Sequence, residues 1–279
     1  MIETREHPGK RLARFLPMIV ICSVMAILYT IYLLYHCLPM FQVEVPPEYR
    51  DHEAIATGAL HFFTVHVGAA MVLWSFYKTY STEPGRIPGT NEWQRQPPPN
   101  LIHERKRDGG ARYCHKCSKY KPDRCHHSSN TGRCVLKMDH YCPWVANDVG
   151  FFNYKFFFLT LLYSGGTLTF VCTTMTTTVR ASIGDSNISF EQVFFTLLGT
   201  ALSFFLLAIV LPFCIFHCWL IATNCTTIEF CEKRRTGKDH PYDVGTAENF
   251  THALGEQPLW WLLPVGGPSG NGIIFPRSR

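Results

Sequence analysis

The sequence predicts a polytopic α-helical membrane protein with four transmembrane helices and a cytoplasmic, zinc-binding, cysteine-rich domain between the second and third helices. Two observations lead to this fold class. Four apolar windows are each long enough to cross a bilayer, which takes about 20 apolar residues. The polar stretch between the second and third windows collects cysteine and histidine. The average composition, 47% hydrophobic, hides this division.

The orientation of the predicted helices follows from the distribution of Lys and Arg, which are in excess in cytoplasmic loops. Residues 78–155 are rich in Lys and Arg, whereas the connection between the first two windows contains only Arg50. We therefore predict that both termini and the cysteine-rich domain are cytoplasmic. The predicted segments are the N-terminus at 1–14, membrane helices at 15–38, 55–77, 156–179 and 193–221, the cysteine-rich domain at 78–155, and the C-terminal region at 222–279.

The net charge of +5 comes mainly from the cytoplasmic segments. Such segments suit an anionic lipid surface or a phosphate-bearing ligand. Nucleic acid is not predicted as a partner, because no basic helix or pattern of aromatic and basic residues on strands accompanies the charge. Cytoplasmic thiols stay reduced, so clustered cysteines are expected to bind metal or to react rather than to form disulfides.

Two histidines, His61 and His66, lie inside the second apolar window. Polar groups at that depth usually face the interior of a helix bundle. Hydrogen bonding between helices is the favoured interpretation. A proton or metal pathway, as in a transporter, is the alternative.

A zinc site is predicted from the spacing of cysteines in the polar stretch. Cys114 and Cys117 form a C-x-x-C pair, and His127 and Cys134 follow downstream. Three thiolates and one imidazole are a common ligand set for structural, tetrahedral zinc. The histidine ligand is less certain from the sequence than the cysteines, since the neighbouring residues Cys125 and His126 are possible substitutes.

A second cluster, Asp139-His140-Tyr141-Cys142, contains the parts of a nucleophilic site. A cysteine, a nearby base and an orienting carboxylate are what covalent catalysis by a thiolate requires. The spacing alone leaves an alternative open, in which His140 and Cys142 are further metal ligands.

Several segments of the chain form a recognisable set of motifs. Within the cysteine-rich domain these are KPDRCHH at 121–127, LKMDH at 136–140, CPWVAN at 142–147 and VGFFNYKFF at 149–157. Outside it they are Glu83-Pro84-Gly85, Thr226-Thr227-Ile228-Glu229 and the stretch from Asn249 to Trp261. Together with the four-helix layout, these segments resemble the DHHC-type protein S-acyltransferases (palmitoyltransferases).

The resemblance implies two interleaved zinc sites, and this chain departs from that pattern. The first site keeps all four ligands, namely Cys114, Cys117, His127 and Cys134. The positions of the second site are occupied by Ser128, Thr131, Tyr141 and Asp148, so every ligand of that site is lost. Because the loss is complete, we predict one zinc ion, with packing and hydrogen bonds in place of the second.

The resemblance also implies a two-step acyl transfer. Cys142 would attack the thioester of a long-chain acyl-CoA, with His140 as general base and Asp139 holding the imidazole. The acyl group would then pass to a cysteine of a cytoplasmic, membrane-associated protein. The Tyr141 that changes the D-H-H-C signature replaces a zinc-ligand position, so activity is expected to be retained.

Other residues receive expected roles from the same resemblance. They are Lys121 and Arg124 as partners of CoA phosphates, Trp144 against the start of the acyl chain, Thr227 and Asn249 as supports of the active site, and Gly165, Gly166 and Thr167 at the closed end of the acyl pocket. The small residues of the third helix suggest a pocket that accepts chains longer than palmitoyl. Close packing between helices is the alternative.

Three other functions are considered from the sequence. The changed signature and the missing zinc site would also fit a catalytically weakened membrane scaffold or adaptor. A zinc module for ubiquitin transfer needs more ligands than this stretch contains. A transporter would rest only on the two histidines of the second window. We expect an integral protein of the endoplasmic reticulum, the Golgi or the plasma membrane, in contact with membrane lipid.

Overall fold

A computed structural model of the chain describes residues 13–95, 102–106, 108–183, 188–236 and 241–278. Of the predicted N-terminal segment, residues 1–12 lie outside the described part. The helices of the described residues are α1 (Leu16–Met40), α2 (His52–Ser81), α3 (Glu92–Arg95), α4 (Tyr154–Ser182), α5 (Phe190–Ala222), α6 (Thr227–Thr236) and α7 (Thr246–Leu254).

Four of these helices, α1, α2, α4 and α5, are long and apolar enough to cross a membrane. This finding confirms the predicted fold class. The helices end a few residues away from the predicted windows, because a helix continues into polar residues that hydropathy excludes. α1 contains a π-helical turn at Leu33–Cys37, which the apolar pattern could not predict, and α5 contains an internal proline, Pro212.

Met18–Leu73 and Thr160–Cys214 form one compact unit, which contains most of the apolar helical residues. Close approach between its helices depends on small residues. At Gly199 of α5, an added Cβ would lie 2.6 Å from Ile31 Cγ2 of α1, so a larger residue would force the two helices apart.

Polar side chains in this unit bond to one another across helices. His36 Nε2 lies 2.9 Å from His61 Nδ1, and His36 Nδ1 lies 2.6 Å from Thr178 Oγ1. Tyr29 Oη lies 2.6 Å from His66 Nε2. These contacts support the interpretation of His61 and His66 as interhelical hydrogen-bonding residues.

Trp74–Leu159 and Ile215–Arg279 belong to a second unit, together with the described residues up to Pro17. Its strands form three antiparallel hairpins, which are β1 (Tyr113–Cys114) with β2 (Lys119–Tyr120), β3 (His126–Ser128) with β4 (Arg133–Val135), and β5 (His140–Cys142) with β6 (Asn147–Val149). Buried Ile87, Trp93, Ile102 and Phe151 pack around the cysteines as a small core. Strands of two or three residues and so small a core need additional ties to be stable.

Candidate active site and metal centre

One group of metal-type side chains lies at the junction of the first two hairpins. Cys114 and Cys117 come from β1 and the turn after it, and His127 pairs with Cys134 across β3 and β4. The potential ligand atoms all lie within 4.8 Å of one another. We call this group the zinc junction.

The donor set fits a structural zinc ion. His127 directs Nδ1 at the three sulfurs, at 3.5 Å from Cys114, 3.2 Å from Cys117 and 3.9 Å from Cys134. Three sulfurs and one nitrogen suit tetrahedral zinc. His126 and Cys125 are not members of the group, so among the described residues the structure selects His127 from the three alternatives.

A different arrangement joins the second and third hairpins. Asp148 of β6 is fully buried, and its carboxylate accepts hydrogen bonds from Ser128 Oγ, at 2.6 Å, and from Thr131 Oγ1. Arg133 Nε lies 3.8 Å from the same carboxylate. We call Ser128, Thr131 and Asp148 the carboxylate junction.

The carboxylate junction is continuous with the strand that bears the predicted nucleophile. Tyr141 of β5 is the strand partner of Asp148, and Cys142 is the partner of Asn147. Asn147 Nδ2 donates to the carbonyls of Thr79, Tyr80 and Thr82 at the end of α2, at 3.0–3.2 Å. Asn147 has no predicted role from the sequence, although it lies in the same CPWVAN segment as the predicted nucleophile, Cys142.

Asp139 and His140 form a tightly held pair. His140 Nδ1 lies 2.6 Å from Asp139 Oδ2. Thr227 donates to the same carboxylate twice, from its backbone N to Oδ1 and from Oγ1 to Oδ2, both at 2.9 Å. Because these bonds fix the carboxylate on both oxygens, the His140 ring has one orientation and presents Nε2 for proton transfer.

The surroundings of the pair shift both pKa values. Burial lowers the pKa of His140, but the hydrogen bonds and negative charge of Asp139 and Cys142 outweigh it and raise that pKa to about 9. Burial raises the pKa of Asp139, but the His140 hydrogen bond and charge outweigh it, so the pKa of Asp139 is lowered. A carboxylate beside a protonated imidazole is the arrangement expected of an orienting group.

Cys142 is buried at the end of β5, two residues after His140 on the same strand, and is one of the groups that raise the His140 pKa. The chain turns directly after it through the 3-10 turn Pro143–Val145, which leaves Trp144 half exposed. A cavity of about 500 Å³ opens beside the pair. It is lined by Asp139, His140, Thr227, Ile228, Cys231 and Glu232. A thiol, a base and an orienting carboxylate next to a cavity have the geometry for acyl transfer.

The sequence of this region matches the family described as DHHC palmitoyltransferase over residues 107–234. The chain is 36% identical over 244 residues to palmitoyltransferase ZDHHC15A of Danio rerio, which covers 76% of this chain and 72% of the relative. It is 40% identical over 219 residues to probable protein S-acyltransferase 14 of Arabidopsis thaliana, covering 71% and 69%. Palmitoyltransferase ZDHHC15 of Homo sapiens is 37% identical over 182 residues, covering 63% of this chain and 53% of the relative.

The chain belongs to the DHHC palmitoyltransferase family. Membership confirms the predicted family and the predicted class of activity, protein S-acylation. The cysteine and histidine cluster agrees with a zinc-binding member of this family.

Arg124, predicted as a partner of CoA phosphates, is engaged by protein groups in this structure. It is fully buried and forms a two-point ion pair with Glu229, Nε to Oε1 at 2.7 Å and Nη2 to Oε2 at 2.8 Å. Its Nη2 also donates to the Asn224 carbonyl at 2.6 Å, and the rings of Tyr242 and Phe275 lie 4.5 and 5.0 Å away. Arg124 thus ties the cysteine-rich domain to the T-T-x-E segment. Arg124 lies in a basic stretch of the sequence, and nothing in that stretch indicates that its side chain is buried.

The remaining predicted residues occupy separate places. Lys121 is partly exposed in the loop between β2 and β3. Asn249 of α7 donates to the carbonyl of Ala222, the last residue of α5, at 2.8 Å, and to Asp243 at 2.7 Å. Asn249 therefore holds the C-terminal region on α5, whereas Thr227 contacts Asp139 directly.

The three small residues of α4 do not share one environment. Gly165 is buried and a Cβ there would make an ordinary contact, at 3.9 Å, with Leu211 of α5. Gly166 is exposed. Thr167 packs directly on Gly68 of α2. This distribution supports the close-packing interpretation at Thr167, whereas a role of the three residues in an acyl pocket stays a prediction.

Proposed function

We propose that this chain transfers a long-chain acyl group, such as palmitoyl, from acyl-CoA to protein cysteines through a thioester on Cys142. The observation that carries the proposal is the hydrogen-bonded series of His140, Asp139 and Thr227, with Cys142 two residues from His140 on the same strand. Each member has the role that its neighbours allow, with Cys142 as nucleophile, His140 as acid and base, and Asp139 as orienting carboxylate.

In the first step, the sulfur of Cys142, whose proton is held by His140, attacks the carbonyl carbon of the acyl-CoA thioester. The bond between that carbon and the CoA sulfur breaks. The imidazolium then returns the proton to the departing CoA thiolate. Asp139 keeps the ring oriented throughout, because Nδ1 stays bonded to Oδ2.

In the second step, an acceptor thiol gives its proton to His140 and attacks the Cys142 thioester. The acyl-sulfur bond to Cys142 breaks, which leaves the Cys142 thiolate beside the protonated His140. We propose that the acceptor reaches His140 through the cavity lined by Ile228, Cys231 and Glu232. Thioester exchange needs no other co-reactant.

The zinc junction would hold one zinc ion in a structural role, since its four protein ligands leave no open coordination position. Such an ion would supply rigidity to the first two hairpins. We propose that the carboxylate junction replaces a second ion and positions β5, the strand that carries His140 and Cys142.

We further propose that both termini and the cysteine-rich domain are cytoplasmic in an endomembrane or plasma membrane. The distribution of Lys and Arg between the connections of the four helices supports this orientation. The acceptors would be cytoplasmic, membrane-associated proteins. The lipid solubility of the donor is consistent with this, as each buried CH₂ contributes about 0.8 kcal/mol to membrane binding.

Labelling of the purified chain with an alkyne analogue of palmitoyl-CoA tests the proposal. The wild-type chain should acquire a hydroxylamine-sensitive label that Cys142→Ser abolishes and His140→Ala strongly reduces. Cys231→Ser is the matched control, since it removes a thiol from the adjacent cavity without touching the nucleophile. Equal labelling of wild type and Cys142→Ser would exclude the acyl-enzyme and favour a membrane scaffold.

A further inference from the structure

The short segment Pro258–Leu263 of the C-terminal region exposes an unusual set of apolar side chains. Leu259 is 89% exposed, Trp260 46% and Leu262 59%. Pro258–Trp260 forms a 3-10 turn that places these side chains on the outside. Large apolar groups grouped on a surface indicate contact with another apolar phase.

The two tryptophans of this segment have different environments. Trp261 is turned inward, donates from Nε1 to the Gly255 carbonyl at 2.8 Å and stacks 6.2 Å from Phe250. Trp260 points outward, and its indole N–H bonds to the side chain of Gln257. The fold therefore fixes which face of the segment is exposed.

Lys155 fixes where this exposed face lies. This residue is in the first turn of α4, one of the four helices able to cross a membrane, and its side chain is buried. Its ammonium group donates to the carbonyls of Trp260 and Val265, both at 2.7 Å. The backbone of Trp260 is thus held against the first turn of α4, directly before the predicted membrane window that begins at residue 156.

Other exposed aromatic residues of the same unit lie near the ends of helices that are able to cross a membrane. Tyr77 and Tyr80 precede the end of α2, and Trp219 precedes the end of α5. Exposed Trp and Tyr at helix ends are the residues that form interfacial belts in membrane proteins, because their amphipathic rings prefer the headgroup level. Trp260 adds a member that no spanning helix supplies.

We propose that Leu259, Trp260 and Leu262 insert into the lipid interface and attach the C-terminal region to the bilayer. The partner is the boundary between lipid headgroups and acyl chains, with apolar side chains below and the Gln257 amide above. This attachment is separate from the acyl transfer reaction. Its consequence is positional, since the same region supplies Thr227 to Asp139 and Asn249 to the end of α5.

The test uses the full chain in nanodiscs of ordinary phosphatidylcholine or of phosphatidylcholine brominated on its acyl chains near the headgroup. The emission of Trp260 is obtained by subtracting the spectrum of Trp260→Phe from that of the wild type. The control is Trp93, which is buried in the cysteine-rich core, and its emission is obtained in the same way from Trp93→Phe. An interfacial ring should lose about half of its fluorescence or more to the bromines, while the Trp93 signal stays unchanged.

A photoreactive benzophenone amino acid in place of Leu259 gives a second measurement that does not depend on tryptophan. Leu259 is almost fully exposed, so the fold accommodates the change. Irradiation should crosslink this position to lipid, and the same probe at Glu248, an exposed residue of α7, should not crosslink. The proposal is overturned if Trp260 is quenched by aqueous iodide but not by brominated lipid, or if position 259 gives no more lipid adduct than position 248.

Discussion

The zinc junction and the carboxylate junction solve the same structural problem with different chemistry. Each joins two neighbouring hairpins that are too short to hold together alone. The zinc junction uses three sulfurs and an imidazole grouped within 4.8 Å. The carboxylate junction uses the buried carboxylate of Asp148 and two hydroxyl donors, which need no ion from solution.

The difference shows what the second junction must provide. A metal contributes binding energy to folding and takes it away when the metal is lost. A buried carboxylate gives less, but its bonds to Ser128 and Thr131 are fixed by the chain alone and satisfy the charge. Because β5 adjoins the carboxylate junction, we propose that the strand bearing the predicted nucleophile depends on hydrogen bonds rather than on a second ion.

The largest effect is expected from breaking the zinc junction. Cys134→Ser should remove the bound zinc and unfold the first two hairpins, since structural zinc contributes on the order of 10 kcal/mol to small domains. Elemental analysis and limited proteolysis of the purified chain measure the two effects. Wild-type protein containing close to two zinc ions per chain would contradict the comparison.

Breaking the carboxylate junction should have a moderate effect. Asp148→Ala leaves the hydroxyls of Ser128 and Thr131 without their acceptor, at about 1–3 kcal/mol for each, and β5 should lose its register beside the turn. The expected results are a lower thermal midpoint, slower acylation of Cys142 and unchanged zinc content. Ser128→Ala, which removes one donor and keeps the carboxylate, is the milder control. A fall in zinc content in Asp148→Ala would mean that the two junctions are not independent.

A smaller and more local effect is expected at the Asp139 and His140 pair. The raised pKa of His140 keeps the ring protonated to about pH 9, so the acylation rate should fall above that pH as the proton donor for departing CoA is lost. Asp139→Asn removes the charge that raises this pKa, so the alkaline limb should move to lower pH. The same limb in Ser128→Ala should stay near that of the wild type. Stopped-flow acylation across pH 6–10 is the measurement, and an unmoved limb in Asp139→Asn would contradict the assignment to His140.

The smallest effect is expected at the rim of the carboxylate junction. Arg133 pairs with Glu83 at 2.8 Å, but the Glu83 side chain is about half exposed. Exposed ion pairs contribute about 0–1 kcal/mol. Arg133→Gln should therefore shift the thermal midpoint little and leave acylation intact. A shift as large as that of Asp148→Ala would place Arg133 inside the junction rather than at its rim.

The sequence predicts well whatever depends on local composition. The four long helices follow from apolar length, and the zinc ligands follow from the spacing of Cys114, Cys117 and Cys134. The sequence also predicts hydrogen bonds in place of metal coordination around Ser128 and Asp148, because all four ligand positions of the second zinc site are changed together. These are features that neighbouring residues specify.

Contacts between distant segments are what the sequence does not reveal. Arg124 looks like a surface cation until Glu229, more than a hundred residues later, is placed beside it. Lys155 looks like the flank of a membrane helix, yet it binds two carbonyls of the C-terminal region. A basic side chain carries no mark of whether it meets solvent or a folded partner, so only tertiary structure decides.

The carboxylate junction also has a consequence for oxidative stress. Thiolate ligands of zinc are open to oxidation, which releases the metal, whereas carboxylate and hydroxyl groups are not. In this chain the predicted thiol ligands all belong to the zinc junction. Loss of the metal through oxidation or scarcity would therefore act on the first two hairpins, whereas the hydrogen bonds of Asp148 beside β5 do not depend on an ion and would outlast the zinc.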